Sequence, residues 1–236
     1  MTRYLSTLVI VLGLTHAGCD NEPGEGKPKA EVAPLVEAKP EPLTATGEQT
    51  TGDEASDLTQ NKDTAGTAAT YTFSQDGSKV DFVGAKITKK HKGAFNKFSG
   101  TIELVDNDPT KSSVKVEVDT ASLKADEAKL TKHLKSPDFF DVENLPKATF
   151  SSAAIKAGGP DGATHTVTGN LELHGVKKSI TFPATIAVGG DKVDVKAEFV
   201  INRRDFDINF PGMPNDLIKD DVLIKLDLHA TPSKQS

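Results

Sequence analysis

From Ser78 to near its C-terminus this chain alternates apolar and polar residues one by one. Val80 and Phe82 stand among Lys79 and Asp81; Val114, Val116 and Val118 stand among Lys115 and Glu117. The same beat runs through Val167–Leu173, Ile180–Val188, Val193–Ile201 and Val222–Leu228. A helix would scatter such residues around its circumference, whereas a strand gathers them on one face. One dry and one wet face is the mark of antiparallel sheet. Eight strands are expected, near 78–87, 93–105, 112–119, 148–156, 164–173, 179–189, 192–203 and 221–230. Turn chemistry separates them at Asp106-Asn107-Asp108-Pro109, Gly158–Gly162, His174-Gly175 and Gly189-Gly190-Asp191. Many strands joined by short hairpins imply an all-β barrel or sandwich. Only 122–134 breaks the rhythm: Leu123, Leu130 and Leu134 fit one helix face, and Ser136-Pro137 ends it.

An eight-stranded barrel has a lumen that side chains just fill, or that holds one slender ligand. The inner face is expected to mix large residues (Phe82, Phe150, Leu171, Phe182, Phe199) with small ones (Gly169, Ala184, Ala197). No tryptophan is available to plug the space. A packed core and a ligand-filled tube both fit this pattern.

The N-terminus carries a different message. Residues 5–14 (LSTLVIVLGL) follow Arg3 and are too short to span a bilayer. Ala17-Gly18 then precede Cys19, the sole cysteine. This arrangement resembles a bacterial lipoprotein signal, with residues 1–18 removed and Cys19 acylated. A chain in an oxidising compartment with one unpairable cysteine is consistent with that use. Several acyl chains would anchor it stably in a membrane, inner or outer; without acylation it would be secreted. Residues Asp20–Thr70 contain five prolines, no aromatic residue and no isoleucine, with 11 acidic against 4 basic residues. Such composition buries too little apolar surface to offset chain entropy, so residues 19–70 are expected to form a disordered acidic linker. As a random coil the 51 residues Asp20–Thr70 would span roughly 40 Å. Residues 71–236 make one domain, with 23 acidic and 23 basic residues. That neutrality excludes the basic footprint of a nucleic-acid binder.

Few polar residues suggest chemistry. If alternation continues past Ile201, Arg203 and Asp205 point inward, and a buried charge needs a partner such as Asp138 or Asp141. They form either a structural ion pair or an anchor for a polar ligand head. Lys86, Lys89, Lys90, His91, Lys92 and Lys97 crowd the first hairpin, as a solvated face or a receptor for an anionic head. His91, His133, His165, His174 and His229 show no metal-ligand spacing, and no nucleophile elbow is present. No catalytic residue, metal or cofactor is expected.

Three segments go further. Leu130–Ile155 (LTKHLKSPDFFDVENLPKATFSSAAI), Val167–Ile186 (VTGNLELHGVKKSITFPATI) and Ala197–Ile208 (AEFVINRRDFDI) follow an opening Val80–Leu104 hairpin. In this order they resemble the YceI-like family of lipid- or polyisoprenoid-binding proteins. The resemblance implies a lipocalin-like eight-stranded antiparallel barrel with one short helical excursion. It implies a periplasmic or secreted protein holding a long apolar molecule, such as a polyprenyl chain or quinone tail. The alternative is an envelope interaction module, a solid barrel whose Phe210–Lys219 loop engages a protein partner.

Overall fold

The computed structural model describes residues 22–36 and 67–233. The signal segment 1–18, Cys19 and residues 37–66 lie outside the described residues. A short strand β1 (Glu31–Ala33) comes first, followed by β2 (Ala68–Ser74), β3 (Lys79–Ala85), β4 (Lys90–Phe95) and β5 (Phe98–Val105). Next are β6 (Asp108–Asp119), β7 (Leu123–Ala125), the helix α1 (Ala128–Leu134), β8 (Lys147–Ala157) and β9 (His165–Leu173). The chain ends with β10 (Val176–Gly189), β11 (Lys192–Asn202), the two-residue strands β12 (Gly212–Met213) and β13 (Asp216–Leu217), and β14 (Asp221–Pro232).

Three pairs of strands run in line as single bent paths: β2 with β3, β4 with β5, and β6 with β7. Register shows this, because β2 pairs β5 while β3 pairs β4, and β6 pairs β5 while β7 pairs β4. With β8, β9, β10, β11 and β14 they make eight paths, each antiparallel to the next. The last returns to the first, where β14 pairs both β3 and β2. The result is a closed eight-stranded antiparallel barrel. Its hairpins use the expected turn residues: Asp106-Asn107 and His174-Gly175 all take positive φ. That left-handed pair matches the twist of the flanking strands.

Three expectations need correction. The first path opens at Ala68, ten residues before the alternation becomes obvious, because Tyr71 and Phe73 already point into the core. The interval 122–134 is not one helix. Leu123 and Ala125 are buried as strand residues against Phe95 and Gly93, and α1 starts only at Ala128. Thr131 fastens the junction, its hydroxyl accepting from the Ala125 amide at 2.9 Å.

The third correction concerns the linker. Residues 22–36 lie against the barrel. Strands β10 and β11 pair only at their hairpin end, Thr185–Gly189 with Lys192–Lys196, and then splay apart. Into that wedge goes the N-terminal segment. It runs antiparallel to β10, with Val32 opposite Ile180, and parallel to β11, bridging Lys29 and Val200. The Ala30 amide donates to the Val200 carbonyl at 2.8 Å, and the Val200 amide to the Pro28 carbonyl at 2.9 Å. Composition argued for disorder because it counted apolar mass. The strap needs little, since the two strand edges supply backbone partners that would otherwise be unpaired.

Candidate ligand cavity

The inward rows of all eight paths surround a cavity of about 690 Å³ that opens at the end carrying α1 and the 203–220 segment. That volume lies inside the range of about 300–1,000 Å³ typical of small-molecule sites. Deep inside, the lining is aliphatic and aromatic, including Ile102, Val114, Val195 and Leu226. Charged residues (Lys86, Glu127, Lys129, Arg203, Asp216, Lys219) belong to the mouth.

Of the expected lumen residues, Phe82, Phe150, Leu171, Phe182 and Phe199 line the cavity. Gly169, Ala184 and Ala197 do not: Ala184 and Ala197 are buried in the core of the wall, and Gly169 lies behind a ring. A Cβ on Gly169 would sit 2.4 Å from Cζ of Phe150, so the ring lies flat over the glycine. Phe82 covers Gly93 in the same way, at 2.2 Å. Phe182 and Phe199 stack at 4.2 Å between centroids. The small residues therefore do not widen the lumen by being empty. They let the large rings lie along the wall instead of across the space.

A second aromatic set sits at the mouth, and its members Phe95, Phe139 and Phe140 carry no mark in the alternating pattern. Phe95 packs on Phe82 and Phe140, and the His133 ring meets Phe139 at 5.0 Å and Phe210 at 4.9 Å. The signal was present in the adjacent pair Phe139-Phe140, but these residues lie outside the alternating strands. Only the turn after α1 brings them over the opening.

Arg203 is 4% exposed and lies at the mouth, but alternation does not place it there. The chain leaves β11 and coils into a single tight turn, Arg203–Phe206, with the Asn202 side chain accepting from the Arg204 amide. Arg203 donates to the carbonyls of Lys219, Ile208 and Ile218, and to Asp220 at 3.0 Å. Asp220 also takes Arg204 at 2.6 Å. The partner is thus neither Asp138, which meets His133 at 2.7 Å, nor Asp141, which accepts from Asn144. Asp205 is half-buried and leaves the alternating row with the turn. Burial lowers the Arg203 pKa from its ordinary value, with the charge of Asp220 opposing.

The lysine-rich hairpin is stapled rather than open. Lys86 meets Asp216 at 2.8 Å, Lys89 meets Glu127, and Lys97 meets Asp119 at 3.1 Å. The hydrogen bond from Lys86, helped by Thr88, holds the Asp216 carboxyl below its usual range. His91 is buried, with Nδ1 3.1 Å from Asp126. Among the described residues no three His, Cys, Asp or Glu side chains gather as a metal site.

A family model described as YceI-like domain matches residues 71–230. A UPF0312 protein of Pseudomonas putida is 34% identical over 168 residues, covering 67% of this chain and 86% of that protein. A UPF0312 protein of Pectobacterium atrosepticum is 34% identical over 153 residues, covering 60% of this chain and 77% of its own length. Among solved structures, BcnA of Burkholderia cenocepacia superposes with a TM-score of 0.59 at 28% identity, over 66% of this chain and 98% of its own. A polyisoprenoid binding domain from Saccharophagus degradans gives a TM-score of 0.55 over 71% of this chain and 100% of its own. At 15% identity that second likeness speaks for the fold alone.

Proposed function

We propose, for a chain that belongs to the YceI-like family, that the barrel binds or carries a long apolar lipid outside the cytoplasm, tethered through acylated Cys19. One observation carries the reading: the lumen is an open apolar cavity of about 690 Å³ with charge only at its mouth. Burial of each methylene of a guest contributes about 0.8 kcal/mol, so a hydrocarbon tail gains more with every group it inserts. A domain of the same fold from Saccharophagus degradans is named for polyisoprenoid binding, and a polyprenyl or quinone-like tail would suit the apolar lumen of this chain. A solid scaffold working only through its surface does not fit a lumen lined by flattened rings.

Head-group selection is weak in this reading. Four of the five N–H donors of Arg203 are engaged by protein oxygens, which leaves little for a ligand. The tube chooses by width and length, and the function is binding rather than catalysis. Organic extraction of the purified protein followed by mass spectrometry tests it. A long-chain lipid should be recovered in near-equal amount, and Leu226→Trp, which fills the lumen, should reduce recovery about tenfold, the loss expected from about 1.4 kcal/mol. Repeated recovery of a lipid-free protein overturns the proposal.

A further inference from the structure

Only four large apolar residues are exposed among the described residues, and three of them share one spot. Ile87 is 52% exposed, Met213 65% and Leu217 45%. They crown the tip of the β3–β4 hairpin and the β12–β13 hairpin, which are joined side by side. The Ile87 amide donates to the Leu217 carbonyl at 3.1 Å, Lys86 bridges Ile218, and Asp216 accepts from Lys86 and Thr88. A stapled pair of hairpins therefore holds these side chains out, flanked by exposed Pro211 and Pro214. Met213, Ile218 and Lys86 also line the mouth of the cavity.

The N-terminal strap ends at the same place. Glu22, the first described residue, pairs with Lys219 on the mouth segment. Cys19 is three positions earlier, within about 10 Å of chain. An acyl group on Cys19 would therefore be tied close to the rim rather than to the end of a long spacer.

We infer that this rim, Ile87, Met213 and Leu217, inserts into a phospholipid bilayer and sets the cavity mouth directly on the hydrocarbon. The inference deepens the lipid-holding proposal above and rests on it for its purpose. Three lysines beside the patch have carboxylate partners, Lys86 with Asp216, Lys89 with Glu127 and Lys219 with Glu22, while Lys90 and Lys129 are exposed nearby. The inserting side chains are apolar, so attachment is chiefly apolar and neutral lipid suffices. A guest tail passes between bilayer and lumen without crossing water.

The chain has no tryptophan, so a single introduced one reports its own surroundings. The full chain carrying Met213→Trp, or in a second variant Ile87→Trp, is reconstituted into phosphatidylcholine vesicles with or without bromine on the acyl chains. Asp191→Trp, in the hairpin at the opposite end of the barrel, is the control. Rim fluorescence should fall about twofold on brominated lipid, as for a group buried 5–10 Å into the interface, with the control unchanged. Adding Leu217→Asp should abolish the Ile87→Trp quenching while the chain still sediments with vesicles. An unquenched rim, equal quenching at residue 191, or quenching that requires anionic lipid overturns the inference. Extraction of the same samples separates the two proposals: a quenched rim on an empty barrel sinks the cargo, and an unquenched rim on a loaded barrel sinks the insertion.

Discussion

Arg203 shows what a single residue does in this molecule. Its fork ties Ile208 to Ile218, Lys219 and Asp220, the two roots of the segment that bears Met213. A buried cation is costly unless its hydrogen bonds are complete, and here the carbonyls complete them. Lysine keeps the charge but cannot reach three carbonyls and a carboxylate from one nitrogen. Arg203→Lys should therefore cost about 2–4 kcal/mol, since buried carbonyls lose their donors. A melting curve by circular dichroism should show a fall of roughly 5–15 °C. An unchanged midpoint would mean the fork is ornamental. Alternation marks Arg203 as a buried charge in need of a partner but does not identify that partner, because the strand row stops at Asn202, whose side chain caps a turn.

At the scale of elements, the strap is the least expected part. Val83, Val200 and Leu223 point outward from the barrel and would leave an apolar patch in water, yet all three are buried. Gly24 crosses them with φ +70°, and a Cβ there would stand 2.6 Å from Val200 Cγ2. Both facts demand glycine, the first for backbone freedom and the second for room. Gly24→Val should lift the strap and uncover this cluster, a loss of order 3 kcal/mol. Hydrogen exchange locates the effect: the Val200 and Ile180 region should lose protection while β5 and β6 on the far wall keep theirs. Uniform loss would indicate global destabilisation instead of a detached strap. The β7–α1 boundary carries the same lesson on a smaller scale. Leu123 fits a helix face by spacing, but a waiting edge at β4 recruits it as strand. Free strand edges override weak local preference.

For the whole molecule, closure of eight paths into one wall creates a space that no single element owns. A ligand bound in that space favours the folded state only, so it raises stability with concentration. At a hundred times its dissociation constant, the guest should add about 2.7 kcal/mol. For a domain of this size the loaded form should melt roughly 5–10 °C above the extracted one. Refilling the extracted protein with its own recovered lipid should restore the difference; a midpoint indifferent to lipid would argue that the lumen is unused. The sequence by itself determined the antiparallel sheet, the strand count, the hairpin turns and the inward rows, because a period of two and a few turn residues are local properties. Tertiary structure alone decided that the phenylalanines lie flat over neighbouring glycines and leave the tube open. It also decided that a polar-looking strap fills the gap between β10 and β11, and that Arg203 answers to Asp220. Each of these depends on which strands become neighbours, and adjacency between residues far apart in the chain is set only when the barrel closes.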